Sequence, residues 1–310
     1  LFLNYNQTMI SHRKTLLTGG VALMLLASIF ASLNPVLIQI AFNLGVSPTE
    51  LMVLRLLIAF PCFFLTGMFF SPIKKMEVTK RETVLLAVVG ILGMGGSTLC
   101  MLYAVLHLGA SMARLVYSVF PIFTTLLAFF IMHQPITIFK KISIVISILG
   151  VILVISPISI FQTHQIITVI PFIGIVLGLT AAFCWSFSSI AIEMLLKNNS
   201  PLVTSTYSIG FMLLFYSIFF GVPSFHLNLH TWTVVILFAV VTYYIPFLLI
   251  NYAIKDIGAS YTTIMQSIGP AFTVISAWIL LNEKLTLIQI AGMALLIISV
   301  YLINRETKMK

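Results

Sequence analysis

Residues 103–137, YAVLHLGASMARLVYSVFPIFTTLLAFFIMHQPIT, recur 149 positions later as residues 252–286, YAIKDIGASYTTIMQSIGPAFTVISAWILLNEKLT. Eleven of the thirty-five positions are identical without a gap. Apolar stretches match one another by coincidence. Here, however, Tyr103-Ala104 falls on Tyr252-Ala253 and Gly109-Ala110-Ser111 on Gly258-Ala259-Ser260. Ser118 meets Ser267, Pro121 meets Pro270, Phe123-Thr124 meets Phe272-Thr273, Ala128 meets Ala277 and Thr137 meets Thr286. Gly, Pro, Ser and Tyr matching in register mark a duplicated unit.

The solvent of that unit follows from composition. Apolar residues make up 60% of the chain and charged residues 7%, with a mean hydropathy of +1.16. Soluble domains carry about a quarter charged residues, so this surface is solvated by lipid. The net charge of +9 does not point to nucleic acid. The basic residues sit in short loops between apolar runs and form no single patch with interleaved aromatics. Cys62, Cys100 and Cys184 lie inside apolar runs without metal or redox spacing and read as small packing residues. The first apolar run is too long for a cleaved signal h-region. Residues before Met9 are polar and irregular, and they receive no function.

A spanning helix needs about twenty mostly apolar residues. Breaks at Pro, Gly or charge divide the chain into runs 16–42, 48–70, 83–106, 109–132, 138–156, 171–196, 201–222, 232–254, 258–281 and 286–303. The expected fold is all-α, with ten transmembrane helices. Ser47-Pro48-Thr49-Glu50 predicts a capping box with a proline start, and Ser200-Pro201 opens the seventh run similarly. With the N-terminus inside, Arg13, Lys14, Lys74, Lys75, Lys80, Arg81, Lys140, Lys141, Lys197, Lys255, Arg305, Lys308 and Lys310 fall inside, and only Lys284 falls outside. Thirteen against one is strong positive-inside asymmetry and places both termini in the cytoplasm. The repeat holds five helices, an odd number, so the second copy (171–303) is inverted relative to the first (16–156). Inverted repeats provide one site near the midplane with two nearly equivalent ways of exposing it.

The two Pro-x-Phe-Thr elements, Pro121–Thr124 and Pro270–Thr273, each follow a Gly-Ala-Ser and precede a polar turn, a Thr and a small-residue helix. Those turns are His133-Gln134-Pro135-Ile136-Thr137 and Asn282-Glu283-Lys284-Leu285-Thr286. From about residue 18 to 303 the chain resembles the paired EamA-type domains of the drug/metabolite transporter superfamily. The glutamate-bearing turn usual there is present in the second half and replaced by Gln134-Pro135 in the first. The resemblance implies two five-helix halves around a central cavity and transport of amino acids, nucleobases, sugars or similar metabolites, often outward.

Two arginines lie inside runs. Arg55 is about 10 Å and Arg114 about 7–8 Å deep from the outer side at the helical rise. Such residues face the protein interior or a wet cavity. Each reads as an anion clamp or as a structural group, snorkelling outward or bonding carbonyls. Family members commonly keep an arginine near Arg55, whereas the repeat counterpart of Arg114 is Thr263. Glu193, the acid well inside a run, reads either as a proton-coupling carboxylate or as an i, i+4 partner of Lys197. Asn34, Tyr103, Tyr117, Trp185, Ser189, Asn251 and Gln266 are further cavity candidates, with Gln39 and Tyr243 beside them. Each reads a small substrate or bridges helices. Tyr117 and Gln266 occupy equivalent repeat positions four residues before Pro121 and Pro270. Asn34-Pro35 interrupts the first helix's hydrogen bonding.

The expected function is a secondary transporter in the plasma (inner) membrane. It would export a small polar or zwitterionic metabolite such as an amino acid, with proton or counter-substrate coupling. The alternative is an exchanger of phosphorylated metabolites or nucleotides. An intramembrane enzyme needs paired acids, a His cluster or a nucleophile with its base. Instead, His12, His107, His133, His164, His226 and His230 sit at run ends. Neither a channel's filter nor its charged ring is visible. No ATP-binding loop, cofactor or metal site is expected.

Overall fold

A computed structural model describes residues 19–70, 78–155, 169–223, 227–272, 275 and 287–309, and those residues are helical with short turns between. The helices are α1 (Gly19–Asn43), α2 (Pro48–Phe70), α3 (Lys80–Gly109), α4 (Phe120–Met132), α5 (Ile138–Ile155), α6 (Val169–Leu195), α7 (Pro201–Phe220), α8 (Leu229–Ile257), α9 (Ala259–Gln266) and α10 (Leu287–Met309). Among the described residues six helices are long and apolar enough to cross a membrane, and Phe120–Met132 and Ile290–Ile303 are shorter apolar helices. Phe69, Phe70, Ile218 and Phe219 are exposed, as lipid-facing side chains must be. The turn Asn282-Glu283-Lys284, the basic residues Arg13, Lys14, Lys74 and Lys75, and His12, His164 and His226 lie outside the described residues.

Helix starts follow their caps. The Ser47 hydroxyl accepts from the Glu50 amide while Glu50 Oε2 accepts from the Ser47 amide at 2.9 Å, completing the expected box. Ser200 accepts from the Val203 amide at 3.2 Å. Thr79 and Glu82 form a second box at the head of α3, and Asn228 caps α8. Thr79 and Asn228 are themselves 149 residues apart.

The backbone repeats that shift elsewhere. Gly109 and Gly258 end α3 and α8 with φ/ψ of 76°/165° and 83°/158°, a conformation open to glycine and closed to most side chains. A π-helical stretch interrupts each helix, at Val89–Gly95 and Val240–Tyr244. The runs expected as continuous over 109–132 and 258–281 are each broken, at Ser118-Val119 and at Ser267-Ile268. The cause is the following proline. Pro121 has no N–H for the carbonyl of Tyr117, and Pro270 none for that of Gln266, so each helix loses a bond there and restarts.

Packing rests on close backbone approach. A Cβ on Gly90 would collide with the Ser208 carbonyl oxygen, and one on Gly95 with the Tyr216 ring. A Cβ on Gly93 would lie 2.7 Å from Ser188 Cβ. The glycine cluster of α3 therefore serves contact with α6 and α7. Gly174 and Gly178 of α6 likewise leave room for Leu108 and Val116. Helices α5 and α10 meet through a self-complementary contact. Gly150 lies against the Gly292 carbonyl, and the Ser299 hydroxyl donates to the Ser143 carbonyl at 2.7 Å. The 149-residue shift turns 143 into 292 and 150 into 299, so one contact is the other with its partners exchanged, as in an isologous interface.

Substituting Gly90→Ala should destabilise the protein by about 1–3 kcal/mol, the usual scale of overpacking. Gly19→Ala, with open space around it, should be neutral. Thermal melts of the two purified variants check the contrast.

Candidate functional site

The breaks surround a cavity of about 130 Å³, the volume of roughly four waters. That is smaller than ordinary ligand pockets of about 300–1,000 Å³. Its wall draws on α1, α2, α3, residues 114 and 117, α6, α8, α9 and the turn after it. Equivalent positions from the two copies face it: Ser97 and Pro246, Thr98 and Phe247, Met101 and Ile250, Tyr117 and Gln266.

Of the candidates read from sequence, Asn34, Arg55, Arg114, Tyr117, Trp185 and Gln266 lie on this wall. Asn34 donates to the Thr242 hydroxyl at 3.4 Å, tying α1 to α8 beside the Pro35 restart. Arg55 is 3% exposed. It donates from Nη2 to the Thr98 hydroxyl at 3.1 Å, and its guanidinium carbon lies 3.8 Å from the Tyr243 ring centre and 5.5 Å from that of Phe238. The Arg114 guanidinium carbon lies 5.6 Å from the Tyr117 ring centre. Gly269, across the second break, makes room for it, because a Cβ there would stand 2.6 Å from Arg114 Nη2. The Nε atoms of both arginines are buried without a hydrogen-bond partner. Trp185 donates its indole N–H to Gln266 Oε1 at 3.2 Å, and Gln266 Nε2 is left buried without a partner.

The remaining candidates lie elsewhere. Tyr103 is half-buried on α3, off the cavity wall. Ser189 donates to the Trp185 carbonyl of its own helix at 2.9 Å. Asn251 is fully buried and donates to the Ser205 hydroxyl at 2.7 Å, bridging α8 to α7. Gln39 bonds Asn43 on the surface of α1, at 3.3 Å. Tyr243, by contrast, is on the wall. Sequence reasoning passed over Thr98, Thr242 and Gly269. The repeat register could have pointed to Thr98, which stands where Phe247 stands in the other copy.

Glu193 does not make the contact with Lys197 that an i, i+4 pair implies. Helix α6 ends at Leu195, so Lys197 falls in the following turn and is exposed. The carboxylate instead accepts from Gln134 Nε2 at 2.9 Å and from the Ala259 amide at 2.7 Å. It thereby joins α6, the turn after α4 and the head of α9. The absence of a Cβ on Gly258 leaves space for it, since one would lie 3.3 Å from Glu193 Oε1. The equivalent Gly109 has nothing within 4 Å of such a position. Among the described residues no group of three or more His, Cys, Asp or Glu could hold a metal.

The model of the EamA-like transporter family matches residues 18–156 and 172–305. An uncharacterized transporter of Bacillus subtilis, YyaM, is 26% identical over 259 residues, covering 82% of this chain and 83% of its own. An uncharacterized transporter of Clostridium kluyveri is 24% identical over 284 residues, covering 90% and 91%. A solved crystal structure at 14% identity superposes with a TM-score of 0.76 over 92% of this chain and 96% of its own, a likeness of fold alone.

Glu193→Ala should destabilise the protein by about 1–3 kcal/mol, because it strands the Ala259 N–H. Glu193→Gln should cost less, since the Gln134 amide can turn over to complement it. Thermal unfolding of both variants in detergent tests the order.

Proposed function

The chain belongs to the EamA-like transporter family, and from that membership we propose that it is a secondary carrier of a small polar metabolite, working outward across the plasma or inner membrane. Its ten helices form two inverted halves, 16–156 and 171–303, with both termini in the cytoplasm. The observation that carries this reading is the cavity, walled by equivalent positions of both copies (97/246, 98/247, 101/250 and 117/266). A site on a pseudo-two-fold axis can be exposed to either side by equivalent motions of the two halves. The paired glycine turns, π-helical stretches and helix breaks support it, as does the exchanged α5–α10 contact.

Alternating access is supported by a contact that joins the two halves at one face. In the proposed topology Gln134, Glu193 and Gly258 all stand at the cytoplasmic side, where the carboxylate ties the halves together. At Gly109, on the outer side, an added Cβ would meet none of the described residues within 4 Å. The bond network reads as a closed cytoplasmic gate that opens when the site turns inward.

Comparing metabolite levels in cells with and without the protein should identify a cargo, which then shows saturable, trans-stimulated counterflow in liposomes. Flux that fails to saturate would replace the carrier with a channel. For the topology, Asn228→Cys should react with an impermeant maleimide on whole cells, and Lys197→Cys only after permeabilisation.

A further inference from the structure

We infer that the cavity is built for a substrate of net negative charge with an apolar body, rather than for a zwitterion. The inference rests on the carrier reading and narrows it to a substrate class.

The cavity holds two guanidiniums, Arg55 and Arg114, and both come from the first copy of the repeat. Guanidinium is always ionised in proteins. A buried charge without a partner is unfavourable. The carboxylates of the described residues whose contacts are defined are engaged elsewhere. Glu50 and Glu82 complete capping boxes, Glu193 holds Gln134 and Ala259, and Asp256 stands at the end of α8 against Gly20. The contacts Arg55 and Arg114 make among the described residues, one hydroxyl and three ring faces, disperse charge without neutralising it. Each retains a buried Nε with an unused N–H. A carboxylate or phosphonate arriving in the cavity would supply the missing acceptors as charge-assisted hydrogen bonds.

A zwitterion fits this wall poorly. Its ammonium would share a small space with two cations. The Tyr243 and Tyr117 faces that could hold an ammonium already carry Arg55 and Arg114. The second copy lines the wall with Pro246, Phe247 and Ile250 where the first has Ser97, Thr98 and Met101. At the paired positions 97/246 and 98/247 the first copy thus offers hydroxyls and the second an apolar surface, which suits a charged head on a hydrocarbon or aromatic body.

The test uses four probes with one body and different heads: benzoate, phenylphosphonate, phenylalanine and phenethylamine. Binding is measured by calorimetry on the full-length protein in lipid nanodiscs. The two anions should bind at least tenfold tighter than phenylalanine or phenethylamine. Arg114→Gln should weaken benzoate binding at least tenfold, and Arg114→Lys by less, because it keeps the charge but loses the fork. Phenylalanine binding as tightly as benzoate, no binding by any probe, or benzoate binding unchanged in a folded Arg114→Gln variant would each overturn the inference. Liposome counterflow separates this inference from the reading beneath it. Anions that bind but show no counterflow remove the carrier and keep the anion site. Counterflow of phenylalanine without that of benzoate keeps the carrier and removes the anion site.

Discussion

Hydrocarbon offers a backbone no hydrogen-bond partners, and each unsatisfied N–H or C=O there is costly, on the scale of several kcal/mol. A helix inside a membrane can therefore be interrupted only where protein or water receives the freed groups. The interruptions described here obey that constraint. The breaks at 118–119 and 267–268 flank Tyr117 and Gln266, both on the cavity wall. The second π-helical stretch contributes Thr242 and Tyr243 to the same wall. The cavity exists because the breaks must face inward, and they occur because Pro121 and Pro270 forbid the i to i−4 bond. Fold and site thus share one cause.

How much of this could be read from the sequence depends on the range of the physics. Local rules worked well. The Ser47–Glu50 box, the Ser200 cap, the reversals at Gly109 and Gly258 and the interruption at Asn34-Pro35 are short-range consequences of residue type. The register of the repeat was equally legible, because Gly, Pro and Ser matches survive in a chain where apolar identity means little. What escaped was set by neighbours. Whether Gly90, Gly93 and Gly95 pack or flex depends on Ser208, Ser188 and Tyr216, which are 90 or more residues away. Gly269 looks like a helix-breaking residue before Pro270, and its space for Arg114 is invisible without the fold. Glu193 pairs with Gln134 and Ala259 instead of Lys197 because α6 stops two residues too soon, a boundary that periodicity does not resolve.

Duplication fixes geometry more firmly than chemistry. Backbone devices, namely the caps at 79 and 228, the positive-φ glycines and the prolines, persist in both copies because each is required by a chain reversal or break. Side chains on the wall are free of that requirement and have diverged. Thr98 has become Phe247, and Arg114 stands opposite Thr263. Under the proposed carrier reading, a symmetric scaffold with an asymmetric lining would still present one site to two sides, but would hold its substrate in one orientation.

The same divergence at the two glycine turns bears on which state the protein rests in. Two strictly equivalent halves would make inward-open and outward-open forms equal in energy. Under the proposed carrier reading, the two charge-assisted bonds of Glu193 would break that equality by favouring the form in which the face bearing Gly258 is closed. Hydrogen bonds to a charged group contribute about 1.5–3 kcal/mol each. In that reading, opening the face would replace some of the loss with bonds to water and leave a bias of about 1–3 kcal/mol, or roughly 5- to 150-fold in population. A substrate shifts that balance only through its difference in affinity for the two states. Arg114 sits against Gly269, on the far side of the second break, and Glu193 holds the head of α9, the helix that leads into that break. Arg114 and the tie at Ala259 thus meet opposite ends of one short stretch, and under the proposed carrier reading α9 would be the element through which occupancy of the cavity reaches the gate.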